Sequence, residues 1–279
     1  MLSIVPFSAS ENKSTKKLAW MTDLHLDAAE YQTIQQFLSK LRALESDIIL
    51  IGGDTCNGQK ALNCMESIAH LTGKNVYFVL GNHEFYHGSI AQTRELAHQM
   101  TKKNNLLHYL TKEALIKLTP TTVLIGHDGW SDARAGNFMD STIALHDYTL
   151  INELKNLTKN ELQTRLHQLG SQAAHDIQKK VEEAFKHYSN IILLTHTPPF
   201  QAACIYEKHI SDDNWAPHFV CKAMGDVLFK IMKTHPAKQM IVLCGHAHHM
   251  ADISILPNLR VMVGESTLGF PEIQGLICV

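Results

Sequence analysis

Five short stretches of the chain gather oxygen and imidazole donors: Asp23-Leu24-His25, Gly53-Asp54, Gly81-Asn82-His83-Glu84, His196, and Gly245-His246-Ala247-His248. Carboxylates, an amide oxygen and imidazole nitrogens together form a donor set that suits first-row ions such as Mn²⁺, Fe or Zn²⁺. Along an extended chain residues i and i+2 point to the same side. Asp23 with His25, and His246 with His248, can therefore each aim two donors at one spot. Taken singly, each piece reads more readily as a polar turn than as a ligand site. An unusual count of 18 histidines makes metal chemistry the reading to test.

The elements that would position these residues carry the test. Apolar runs at Leu18–Met21, Asp47–Ile51, Val76–Leu80, Asn190–Leu194 and Gln239–Cys244 each stop at one of the five stretches. Runs of this length bounded by turn residues predict strands buried on both faces, as in a parallel sheet covered by helices. Such sheets place functional residues at the carboxyl ends of their strands, and Gly81 predicts a sharp turn there. Helices are predicted over 28–44, where apolar residues recur at helical spacing, over 60–72 with Gly73 as its C-terminal stop, over 90–103 and over 218–233. Strands are also predicted at 114–118, 122–125, 253–255 and 259–263. Residues 1–16 read as a loose lead-in. Residues 130–189 carry no strand signal and read as a helical cap inserted into a single domain spanning 1–279, with Thr158 and Glu161 forming a capping box. Donors at five strand ends, and nowhere else along the strands, are hard to obtain from turns alone.

Composition narrows the classes. A net charge of −2 gives no overall bias toward nucleic acid or anionic membranes. No apolar run reaches the length of a membrane span. Six scattered cysteines without a Cys-x-x-Cys pair, and an N-terminal apolar run too short for a secretory signal, point to reduced thiols in a cytoplasmic setting.

In its blocks and their order the sequence resembles the calcineurin-like metallophosphoesterases, whose blocks run D-x-H, G-D, G-N-H-D/E, a lone H, and G-H-x-H. The resemblance covers about 18 to 263. It implies a four-layer αββα sandwich with two divalent metal ions at the sheet edges. Carried over position by position, it assigns one ion to Asp23, His25, Asp54 and His248, and the second to Asp54, Asn82, His196 and His246. Asp54 would bridge the pair. Two ions roughly 3.5–4 Å apart can clamp both oxygens of an in-line displacement, and a bridging hydroxide would attack phosphorus directly. His83, left out of both sets, would then be the catalytic residue that protonates the leaving oxygen, with Glu84 available to orient it.

Tyr86, His87 and Arg134 are the expected substrate contacts. The stretch His127-Asp128-Gly129-Trp130-Ser131-Asp132 reads more readily as a solvated loop anchored by Trp130 than as a substrate lip. Trp215 is a further candidate at the site, and the cysteines are expected to pack rather than react. Several branches of the resembling family fit poorly. The Ser/Thr protein phosphatases carry D-x-H-G and G-D-x-V-D-R-G, where this chain has Leu26 and Thr55-Cys56-Asn57-Gly58; the lipid A pathway hydrolases carry Arg where this chain has His83. Best matched is the broad group of class III cyclic-nucleotide phosphodiesterases and small phosphoesterases acting on a small phosphoester substrate. A nuclease of the same superfamily, and a catalytically silent scaffold on the same fold, are the alternatives. With every ligand position filled, the scaffold is the weaker one.

Overall fold

The computed structural model describes residues 3–4 and 15–279. The chain runs through β1 (Ser3–Ile4), β2 (Lys17–Met21), α1 (Tyr31–Ala43), β3 (Ile48–Ile51), α2 (Lys60–Thr72), β4 (Asn75–Phe78), α3 (Ile90–Lys103) and β5 (Leu107–Tyr109). It continues with β6 (Ile116–Lys117), β7 (Thr122–His127), α4 (Asp147–Leu150), α5 (Lys159–Phe185), β8 (Asn190–Thr195), β9 (Ile205–Tyr206) and β10 (His209–Ile210). It ends with α6 (Ala216–Phe219), α7 (Lys222–Thr234), β11 (Gln239–Cys244), β12 (Ala251–Leu256), β13 (Leu259–Val263) and β14 (Gly275–Cys278).

Two six-stranded sheets result, ordered β1-β14-β2-β3-β4-β5 and β12-β13-β11-β8-β7-β6. Within them β2 to β5 are mutually parallel, as are β13, β11, β8 and β7. Side-chain alternation explains the layering. Leu18 and Trp20 of β2 and Leu50 of β3 join Leu124, Ile192 and Leu243 of the other sheet in one core between the sheets. The intervening residues Ala19, Met21, Ile49 and Ile51 face Phe37, Leu41 and Met65 of α1 and α2. Val123, Ile191, Leu193 and Val242 face Ile177, Val181 and Leu228 of α5 and α7. A strand with apolar residues on both faces must be covered twice, and the outcome is helix, sheet, sheet, helix. Each fully buried Leu or Ile contributes about 1.5–3 kcal/mol; truncating Leu50 or Ile192 to Ala would cost about 2–5 kcal/mol.

Register then fixes the site. Met21, Ile51, Phe78 and Tyr109 lie side by side, so the loops after β2, β3 and β4 leave the sheet at one level. Leu194 pairs with Leu243, which sets His196 and Gly245 side by side in the same way. The ladder runs on into these loops: the Asp23 N–H donates to Gly53 O, the His25 N–H to Asp54 O and the Gly245 N–H to His196 O.

The helix stops hold at Gly73, in the left-handed region at φ 65° with its N–H on Ala69 O, and the capping box of Thr158 and Glu161 is complete. Three expectations change. Residues 130–146 are irregular, and the long helix is α5, which packs on β7, β8 and α7 in the outer layer instead of standing over the site as a cap. Its apolar stripe found a sheet to cover. Ser3–Ile4, expected to be loose, pairs with β14, while 1–2 and 5–14 lie outside the described residues. β14 itself, antiparallel to β2, and β5 have no counterpart among the predicted strands. No helix among the described residues is long and apolar enough to cross a membrane.

Candidate metal centre

The five loops bring their donors together at one edge of both sheets. Ligand atoms of Asp23, His25, Asp54 and His248 all lie within 4.8 Å of one another, and so do those of Asp54, His196 and His246. Asn82 joins the second group through its Oδ1, 3.0 Å from His196 Nε2. Asp54 belongs to both groups and is 1% exposed. Its Oδ2 stands 3.3 Å from His196 Nε2 and 3.9 Å from both His25 Nε2 and His83 Nε2. Its Oδ1 accepts the His83 backbone N–H.

Achieving this convergence distorts the backbone. Asp23, His25, Asp54, His246 and His248 all have positive φ, between 40° and 66°. Side-chain-bearing residues enter this left-handed region at a cost of about 1–2 kcal/mol each, and such strain clusters at functional sites. Gly81 makes its turn without a positive φ. Its role is closeness: a Cβ there would collide with Asp54 Oδ1 and the His196 ring. A Cβ on Gly245 would likewise run into the Asp23 carboxylate.

Hydrogen bonds select which ring nitrogen faces the centre. His196 Nδ1 donates to Gly52 O at 2.9 Å, freeing Nε2. His246 Nε2 lies 3.1 Å from His218 O and 3.2 Å from Ser131 Oγ, so Nδ1 is the nitrogen left to ligate. His25 Nε2 and His248 Nε2 face each other at 3.2 Å. Asn82 is oriented by the buried Asp147, which accepts from its Nδ2 at 2.9 Å and from the Tyr86 hydroxyl at 2.8 Å. That contact turns the Asn82 oxygen toward His196. The Asp23 carboxylate accepts from Thr22 Oγ1 at 2.6 Å and from the His246 N–H.

The electrostatics match a cation site. Burial raises the Asp54 carboxyl, but His196 and His83 outweigh it and hold the group well below the ordinary carboxylate range. Burial opposes charge on His196, yet Asp54 and Asp23 push its pKa up to about 10. Burial beside His196 drops His246 to about 3, so it stays a neutral imidazole. Two buried carboxylates, an amide oxygen and ring nitrogens that face inward fit divalent ions chemically.

Glu84 does not orient His83. It is fully buried and accepts the backbone N–H groups of Asp54, Thr55 and Gly81 at 2.9, 2.7 and 2.7 Å, tying two ligand loops together. His83 is held instead by Asn57, whose Oδ1 is 2.7 Å from Nδ1, with the Tyr86 ring against it at 4.4 Å. His83 and Tyr86 both line a cleft of about 320 Å³ that opens over the ligands. His87 is exposed and Arg134 lines a separate surface depression with His167 and Ser171. Neither lines the cleft. Arg134 is engaged with Asp132 at 2.9 Å and Ser171 at 2.8 Å.

The 127–132 stretch is neither a solvated loop nor a lip, because His127, Asp128, Trp130 and Asp132 are all buried. Asp128 accepts from the Leu80 N–H, Arg94, Tyr109 and Thr111 and so pins the end of β4 just ahead of Gly81. Asp132 accepts the Lys222 and Ala223 N–H groups at the start of α7. Asn57, Asp147 and Ser131 were missed from sequence. Asn57, three residues past Asp54, had a positional signal; Asp147 meets Asn82 only through the fold. Of the cysteines, Cys204 lines the cleft and Cys56 Sγ sits 3.0 Å from Cys64 Sγ.

Residues 16–250 match the family described as calcineurin-like phosphoesterase. No curated protein matches the chain in sequence. Among solved structures, a phosphopantetheinyl hydrolase from Mycobacterium tuberculosis superposes with a TM-score of 0.63 at 12% identity, covering 95% of each chain. A dimetal phosphatase from Danio rerio gives 0.57 at 11% identity, over 91% of this chain and 88% of that one. A protein of Thermus thermophilus gives 0.54 at 13%, over 92% and 91%. At these identities the likeness is one of fold.

Proposed function

The chain belongs to the calcineurin-like phosphoesterase family, and from that premise we propose that it hydrolyses a phosphoester at a dinuclear metal centre. The observation that carries this reading is Asp54, shared by two convergent donor groups. One ion would be held by Asp23, His25, Asp54 and His248, the other by Asp54, Asn82, His196 and His246. Two such ions supply Lewis-acid polarisation of the phosphoryl oxygens and a hydroxide nucleophile at neutral pH. Manganese is the first ion to try, and a cytoplasmic setting rests on the scattered thiols.

His83 acts from the cleft side. Its side chain is 25% exposed, and Asn57 fixes Nδ1, which leaves Nε2 facing the ester. A protonated imidazole there donates its Nε2 proton to the leaving oxygen, so that water and ester become alcohol and phosphate. Asn57 and Tyr86 orient that ring; Asp147 orients Asn82; Glu84 and Asp128 hold the loops in register.

Purified protein supplied with Mn²⁺ is expected to hydrolyse p-nitrophenyl phosphate or bis-p-nitrophenyl phosphate. Inactivity toward mono- and diesters across a metal series would overturn the proposal in favour of a binding scaffold.

A further inference from the structure

The cleft over the metal centre is chemically lopsided. Its lining joins the polar set of Asp54, Asn82, His83, His246 and His248 to an aromatic-rich wall that includes Ile205, Tyr206, Trp215, Phe219 and His249. The rings of that wall form a continuous chain. Tyr206 stacks on Trp215 at 5.0 Å and 21°, Trp215 meets Phe219 at 5.8 Å, and Phe219 meets the ligand His246 at 4.9 Å. His249 closes edge-on against Tyr206 at 5.4 Å. Tyr206 comes from the β9–β10 hairpin and Phe219 from α6, with Trp215 just ahead of α6; the hairpin's turn residues Glu207 and Lys208 sit at φ 46° and 71°, the geometry of a tight hairpin turn. Tyr206 remains 39% exposed.

The second observation is what the lining lacks. No Lys or Arg is among the described residues that line the cleft. Two basic side chains from the flanking segments are engaged elsewhere: Lys159 Nζ donates to Ser141 O and Arg134 to Asp132. Asp147, which also lines the cleft, would repel a second phosphate. A chain of phosphates or a nucleic-acid backbone is normally tracked by cationic side chains, and this cleft offers none beyond the metal centre.

We propose that the cleft selects a phosphoester with one phosphoryl group and a flat, uncharged organic part that lies against Tyr206, Trp215 and Phe219. This rests on the phosphoesterase reading and deepens it. A volume of about 320 Å³ is at the small end of ligand sites, enough for one ring system and its linker. An aromatic face is recognised by stacking, which tolerates different rings.

Adenosine 5′-monophosphate and ribose 5-phosphate share the same ester bond and differ in the flat base, which makes them matched probes. With Mn²⁺-loaded protein, kcat/KM for the nucleotide should exceed that for the sugar phosphate by about 10-fold or more. It should also exceed that for adenosine 5′-triphosphate. Trp215→Ala and Tyr206→Ala should each collapse the nucleotide-to-sugar ratio toward one. Binding gives an independent readout: the nucleotide should quench Trp fluorescence, and Trp215→Leu should lose the quenching. Hydrolysis of p-nitrophenyl phosphate with equal rates for the matched pair, or with preference for the triphosphate, would overturn the inference and leave the phosphoesterase reading standing. Inactivity toward every ester would overturn that reading, and equal affinity for the two probes would then overturn the inference as well.

Discussion

The two donor groups that share Asp54 are built to different tolerances. In the group with Asn82, His196 and His246, every donor is fixed from behind. Gly52 O holds His196, His218 O holds His246, and Asp147 holds Asn82. In the group with Asp23, His25 and His248, the carboxylate is fixed, but no backbone carbonyl of the described residues reaches either imidazole, and the His248 side chain is 30% exposed. Fixed ligands lose less freedom when they bind, and partners behind a ligand typically contribute 10–100-fold in affinity. In the proposed dinuclear centre the fold would thus supply a tight socket and a looser one around a single carboxylate. In the proposed enzyme, a chelator series should strip the His25/His248 ion first.

Removing the shared residue should erase the contrast altogether. Asp54→Ala is expected to abolish activity and cost both ions, read by elemental analysis of the purified protein; retention of one full equivalent would show that the sockets are independent. Next in size is His83, which lies outside both sockets. His83→Ala should lower kcat by about 10²–10⁴-fold with metal content unchanged, and parallel loss of metal would make it a ligand instead. Asp147→Ala tests the tight socket directly. It should weaken one ion by about 10–100-fold while the other keeps its affinity, as followed by metal titration; equal weakening of both would dissolve the distinction.

Away from both sockets, the expected effect is on stability and its dependence on pH. Burial raises the Asp128 carboxyl, but Arg94 and the Tyr109 hydroxyl outweigh it and hold the group below its ordinary value. A carboxyl depressed by folding contributes stability above its unfolded pKa of about 3.9. That contribution is lost as pH falls through the lower folded value. Melting temperature should drop below about pH 4, and Asp128→Ala should flatten that drop while costing about 3–5 kcal/mol by stranding Arg94. An unchanged acid profile in the variant would remove Asp128 as the anchor of the β4 end.

Much of this was legible in the sequence, because it was written locally. Each apolar run that stops at a donor became a strand ending at the centre, and alternation within Leu18–Met21 or Ile48–Ile51 already demanded two covered faces. What was not legible depends on chain segments that meet only in three dimensions. The strand at Gly275–Cys278 completes the sheet beside β2 from the other end of the chain. Asp147 reaches Asn82, and Ser131 reaches His246, with nothing near either residue to announce it. The 127–132 stretch misled because polar residues that serve as buried anchors have the same composition as an exposed loop. Glu84 misled for a related reason: adjacency to His83 hid the fact that its carboxylate turns back toward the Asp54 and Thr55 amides.

The left-handed backbone at Asp23, His25, Asp54, His246 and His248 has one more consequence. At these positions the sequence that would best suit the chain and the sequence that would best suit the chemistry are opposed. A designer optimising only for melting temperature would write glycine at each, gaining about 1 kcal/mol or more of relaxed backbone per site and deleting the donors. An inert descendant of this protein could accordingly be sturdier than its parent.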